Sequence, residues 1–175
     1  RAVRLLRASA DPNSTDGNMS ALQRAASERH PDLVGLLVQN GADVNRASPC
    51  GTTALLCAAR AGPVKMVERL LLASADPLVA HSVEGTLPVE MVSSLRTQQA
   101  YAVHALLCER TKEAAPMAGW LTKLGGERRT WKQRYCVLTT TDPTGHGQLR
   151  YFADESLASL HGAVDLEGVL PDHLS

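Results

Sequence analysis

A short phrase that occurs three times limits what this chain can fold into. Ala10, Asp11, Pro12 and Asn13 return as Ala42, Asp43, Val44 and Asn45, and again as Ala75, Asp76, Pro77 and Leu78. A fixed period of this length fits a helix–turn–helix unit stacked on copies of itself. Such a unit cannot bury its apolar face alone, so the phrase predicts a solenoid. Solenoids of this kind usually serve as binding surfaces, which lowers the expectation of catalysis.

The units agree at many positions in register. Ser20, Ala21, Leu22 and Gln23 precede Ala25 and Ala26, and the corresponding stretch of the next unit runs Thr53, Ala54, Leu55, Leu56, Ala58 and Ala59. Ser20 and Thr53 stand where a helix begins, and each hydroxyl suits an orphan backbone N–H. The alanine pairs are small enough for one helix to lie close on the next. Leu33, Val34, Leu36 and Leu37 fall at helical spacing and give the second helix of the unit its apolar face. Gly41 follows that helix, where a left-handed residue is needed, whereas Ser74 takes the equivalent place one unit later and predicts a more strained turn. Asp43 and Asn45 then open a turn toward the next unit. This pattern closely resembles the ankyrin repeat over roughly residues 1–110.

The ends are less regular. Arg1–Arg7 reads as the second helix of a unit whose first half is missing. The last unit keeps Pro88 and the Leu106, Leu107 pair, but has Leu87 in place of the capping hydroxyl, Val92 in place of the first alanine, and extra residues around Thr97 to Ala100. It is expected to be a degenerate C-terminal cap with a longer helix–helix turn. That gives about three and a half units, near the minimum for independent stability.

Past a polar linker at 111–117 the hydrophobic period changes from helical to alternating. Strands are expected over 118–123, 131–139 and 149–152, with a fourth over 163–169. Tyr135, Val137 and Leu138 are expected to face inward. Gly119, Trp120, Leu121 and Lys123, then Gly125 and Gly126, then Trp131, Lys132, Arg134, Tyr135, Val137 and Leu138, then Leu149 and Tyr151 resemble the start of a pleckstrin homology (PH) domain. Residues 118–175 would then be the first strands of a PH-type β-barrel, without the strands and helix that close it. A half barrel leaves a sheet edge and an apolar face unpartnered, so this part is expected to be marginal alone and the chain to be a fragment of a larger protein.

Composition narrows the function. The formal net charge is zero, which argues against a general nucleic-acid binder. Cys50, Cys57, Cys108 and Cys136 have no paired spacing, and the histidines have no metal-ligand spacing, so no metal and no cofactor is expected. Cys57 and Cys136 read as core residues and Cys50 as an exposed turn residue. There is no nucleophile elbow and no carboxylate pair in a catalytic context, so this segment is not expected to be an enzyme.

Charge is nonetheless concentrated in one place. Lys123, Arg128, Arg129, Lys132 and Arg134 crowd the first hairpin of the second domain, opposed there by Glu127. The PH resemblance implies a phosphoinositide pocket in which Lys123, Lys132, Arg134 and Tyr151 occupy the family's headgroup-binding positions, with Arg128 and Arg129 nearby. Several converging cations suit a phosphorylated ring, since Arg supplies a fork and Lys a point charge. The expected role is a cytoplasmic adaptor, peripherally associated with membranes, whose repeats hold a protein partner. The alternatives are a scaffold that binds only proteins, or the regulatory half of a small-GTPase regulator or lipid-transfer protein. The loop tips at 14–17, 47–51 and 82–84 and the inner helices are the expected protein-binding features of the repeats.

Overall fold

A computed structural model describes residues 11–81, 85–93, 97–124, 131–140 and 147–166. The half unit at Arg1–Arg7, the loop tip at 82–84, the turn glycines Gly125 and Gly126, the cations Arg128 and Arg129, and residues 167–169 of the expected fourth strand lie outside the described residues.

The described helices pair into three units: α1 (Ala21–Ser27) with α2 (Pro31–Gln39), α3 (Ala54–Ala61) with α4 (Val64–Leu72), and α5 (Pro88–Ser93) with α6 (Gln98–Ala114). α1, α3 and α5 stack as one layer, and α2, α4 and α6 as a second. The close approach within the first layer follows from Ala25, Ala26, Ala58 and Ala59, all buried. The starts of α1 and α3 are capped as the sequence predicts. The Ser20 hydroxyl accepts from the Gln23 N–H at 3.2 Å and the Thr53 hydroxyl from the Leu56 N–H at 3.3 Å. Gly41 turns left-handed with φ +83°, and Ser74 adopts the same conformation at φ +64°. A side chain there crowds the backbone, so the third unit carries the strain that its sequence implied.

Two asparagines stitch neighbouring turns together. Asn13 donates from Nδ2 to the Gly41 carbonyl and accepts from the Asp43 N–H. Asn45 repeats the pattern one unit on, donating to the Ser74 carbonyl at 3.0 Å and accepting from the Asp76 N–H at 2.8 Å. The phrase that marks the period is therefore also the joint between units.

The last unit solves its capping differently. Leu87 has no hydroxyl, and its N–H is accepted instead by the Glu90 carboxylate at 2.9 Å. Thr97 caps α6 through the Ala100 N–H at 3.1 Å, so the extra residues there start a long helix.

The second part is a four-stranded antiparallel sheet in the order β1 (Met117–Leu124), β2 (Trp131–Thr140), β3 (Gly147–Phe152) and β4 (Leu160–Asp165). Three sequence expectations change. The linker shrinks to Ala115 and Pro116, because α6 runs through Ala114 with Thr111 buried in its last turn, and β1 opens at Met117. The fourth strand begins three residues earlier than expected, at Leu160, after a turn in which Leu157 is buried and Asp154 accepts from the Ser156 N–H at 2.9 Å. Leu138 points to the opposite face from Tyr135 and Val137, as strand alternation requires. On the opposite face Tyr135, Val137, Arg150 and Phe152 are buried, and Tyr135, Val137 and Phe152 join the same core cluster as the repeats.

Candidate functional site

Among the described residues, a groove on the repeats and one face of the sheet are candidate binding surfaces. On the repeats, the stacking of α1, α3 and α5 leaves a groove of about 330 Å³. Ser27 of α1, Leu56, Cys57 and Arg60 of α3 and Met91 of α5 line it, with Met19, Thr52 and His81 from the preceding loops. One wall is thus contributed by each of three consecutive units. Arg60 is exposed and makes no hydrogen bond or ion pair with a described residue. Cys57, expected in the core, is half-buried and belongs to this groove, and burial pushes its thiol pKa up.

The loop tip at 47–51 carries a different thiol. Cys50 Sγ lies 3.0 Å from the Ser48 hydroxyl and 3.3 Å from the Thr52 hydroxyl. Those bonds, Ser48 first, lower its pKa to about 7, and the side chain is exposed. Such a thiol is partly thiolate at neutral pH.

The second surface is the sheet face turned away from the repeats. Cross-strand pairing arranges it in rows. Met117, Leu138, Leu149 and Val164 form an apolar row; Gly119, Cys136, Tyr151 and Gly162 form the next. Leu121 then stands opposite Arg134, and Lys123 opposite Lys132. The register therefore gathers Lys123, Lys132 and Arg134 on one face, at the end of the sheet toward the first hairpin. Lys132 is exposed and Arg134 half-buried, its guanidinium donating to the Gln133 carbonyl at 2.9 Å. Like charges set directly opposite one another across an antiparallel pair are unfavourable, so the Lys123–Lys132 pairing favours an anion beside it. Tyr151 shares the face but is drawn toward the far edge. Its ring covers Gly162, where a Cβ would meet Cε1 at 3.1 Å. Tyr151 is thus not brought to the basic rows. Trp120 lies on the other face, half-exposed, with its ring edge-on to Tyr135 at 5.6 Å.

Three interactions of consequence were not assigned from the sequence. Gln23 is one: buried in the first helix, it accepts from the Ser20 N–H at 2.7 Å and donates to the carbonyls of Arg46 and Thr52 at 2.6 and 2.9 Å. The Ser-x-x-Gln spacing of a capping box was a legible signal for the first of these bonds. The asparagine joints are the second, and a buried pair between Glu90 and Arg150 is the third. No group of three His, Cys, Asp or Glu side chains among the described residues is placed to hold a metal ion. No helix of the described residues is long and apolar enough to cross a membrane.

Residues 1–81 match the family described as ankyrin repeats (3 copies). An E3 ubiquitin-protein ligase, XBAT33, of Arabidopsis thaliana is 50% identical over 60 residues, which is 34% of this chain and 12% of that protein. The ankyrin repeat and KH domain-containing protein mask-1 of Caenorhabditis elegans is 33% identical over 122 residues, 69% of this chain and 4% of that protein. The chain thus spans only a small fraction of the curated relatives it matches. The ligase similarity falls within the ankyrin region and carries no ligase chemistry to the rest of the chain.

Proposed function

We propose that this segment is a two-surface adaptor, a reading supported by the match of residues 1–81 to ankyrin repeats, which imply protein–protein interaction. The repeats hold a protein partner in the groove across α1, α3 and α5. The basic rows of the sheet engage a phosphoinositide headgroup, as a PH domain's first strands would, and bring the partner to the cytoplasmic face of a membrane. The observation that carries the headgroup reading is the register that sets Lys123, Lys132 and Arg134 on one face with no acidic described residue in those rows. Its location at the hairpin end, away from the face docked on the repeats, leaves Lys132 exposed and Arg134 partly so. Each basic residue near an anionic leaflet contributes about 1 kcal/mol, so a few such residues give weak, reversible attachment. A second contact through the groove then raises the effective concentration of the first, and the two select a compartment together. Four free thiols suit a reducing compartment.

Vesicle co-sedimentation of the chain tests this reading. Phosphatidylcholine vesicles are compared with vesicles that also contain phosphatidylserine, a 3-phosphorylated inositide or the 4,5-bisphosphate. Inositide-dependent binding that is lost in a Lys132→Glu, Arg134→Glu variant is the expected result. Equal sedimentation with all vesicles, from a folded chain, moves the assignment to a scaffold in which both surfaces contact proteins.

A further inference from the structure

We infer that the four-stranded sheet is the closing layer of the solenoid, so that repeats and sheet form one cooperative unit with the basic rows held in fixed relation to the groove. The last repeat of a solenoid presents the face that a further repeat would cover. Here that face belongs to α5 and α6, and the sheet occupies it. Val137, Phe152 and the turn residue Leu157 have no solvent exposure, and they join Leu87, Val89 and Leu107 of the last unit in one buried cluster.

Within that apolar contact lies an ion pair. Arg150 Nη1 donates to both carboxylate oxygens of Glu90 at 2.8 Å, and Nη2 donates to the Gly85 carbonyl. The two side chains are 3% and 7% exposed. The same Glu90 carboxylate accepts from the Leu87 N–H, so one group caps α5 and anchors the sheet. Charges this deeply buried are tolerated when paired and strongly unfavourable when one partner is removed. Apolar contact supplies attraction without direction, and the pair supplies orientation, because one docking geometry brings the guanidinium to the carboxylate.

Further contacts act in the same sense. The Cys108 thiol donates to the Glu155 carbonyl at 3.4 Å, and the Lys112 ammonium sits 5.2 Å from the Tyr135 ring centroid. The connection itself is short. Only Ala115 and Pro116 separate α6 from β1, and the proline ring fixes one of the few torsions there. The apolar face that the sequence left uncovered is therefore partnered, on one side, by the repeats.

The chain carries its own probes for a test. Both tryptophans, Trp120 and Trp131, lie in sheet strands, and all the described helices lie in the repeats. Urea unfolding of the full chain followed by tryptophan fluorescence reads the sheet, and far-ultraviolet ellipticity reads the repeats. Coincident transitions are expected. Glu90→Gln in the repeats and Arg150→Met in the sheet should each move both signals together to lower urea, and the double variant should lose less than the two singles combined. Arg150→Lys, which keeps the charge, serves if Arg150→Met does not fold. Separate transitions for the two signals in the unsubstituted chain overturn the inference, as does a Glu90→Gln variant that moves the ellipticity and leaves the fluorescence in place. This test uses no ligand, so its failure is distinct from failure of the headgroup reading.

Discussion

Replacing Gln23 by leucine tests whether the first two described repeats are clamped by a buried amide. Leucine is close to glutamine in size and favours a helix, so the change removes the polar contacts with little change in volume. Gln23 is 1% exposed and its amide makes three hydrogen bonds: one from the Ser20 N–H and two to the carbonyls of Arg46 and Thr52. The partners are unequal. Ser20 is buried, so its N–H is left without an acceptor, whereas the exposed Arg46 residue allows its carbonyl to take up water. An unsatisfied buried group costs about 1–3 kcal/mol and each of the two lost ordinary bonds about 0.5–1.5 kcal/mol, so the expected destabilisation before repacking is about 2–6 kcal/mol. Additional apolar burial by leucine offsets a part of this. The assay is urea denaturation by ellipticity, with the slope checked to be unchanged so that the midpoint shift reports stability alone. Ser20→Ala, which removes the hydroxyl cap and leaves the clamp, should cost about 1 kcal/mol. A Gln23→Leu loss under about 0.5 kcal/mol, the scale of an ordinary surface change, would mean that the buried amide does not clamp the two repeats.

Other perturbations follow from the same geometry. Ser74→Gly relieves a left-handed serine and should stabilise the chain by about 0.5–1 kcal/mol in the same urea assay, after the entropy that glycine adds to the unfolded chain. Asn45→Ala removes both bonds of one inter-repeat joint and should cost about 1–2 kcal/mol, with no change in helix content at low urea. Gly62→Ala places a Cβ 2.7 Å from the Ala58 carbonyl oxygen and against the Met66 methyl, and should cost about 1–3 kcal/mol in thermal unfolding. Cys50, with its pKa lowered to about 7, should be alkylated by iodoacetamide well before Cys57 and Cys108, whose thiols burial pushes up. Its rate should climb as pH rises through 7 and then level, and Ser48→Ala should move that climb to higher pH, as read by peptide mass mapping.

Much of the repeat architecture was legible because its determinants are local. Ser20 and Thr53 cap helices three residues away, Gly41 and Ser74 mark left-handed turns, and Asp43 bonds the Asn45 N–H two residues on. Each of these depends on a few neighbouring residues and recurs with the period. What was not legible depends on distance. Arg150 sits between Leu149 and Tyr151 in the third strand, and nothing nearby announces a carboxylate 60 positions earlier. The short linker depends on distance in the same way. Thr111 and Ala115 look like the start of a polar connector, and they stay in or beside the helix because the sheet packs there. For the candidate sites, the chain order of Lys123, Lys132 and Arg134 indicated a basic hairpin, and strand register brings their positions to one face. Tyr151 fell outside that grouping because its ring leans over Gly162, a glycine whose significance depends on the pairing of β3 with β4. The groove could not be outlined from sequence, since its wall takes one or a few residues from each of three units.

The adaptor reading rests on the sheet's basic rows binding a phosphorylated headgroup while the repeats remain free for a protein. Amide hydrogen exchange on the full chain, with and without a soluble inositol polyphosphate, addresses both halves in one experiment. Slowed exchange is expected first in β1 and β2 around Lys123, Lys132 and Arg134, and it should exceed any slowing of α1 to α4, whose core amides share only the gain in stability of the cooperative unit. No protection in those strands at saturating headgroup, or protection confined to the repeats, would contradict it.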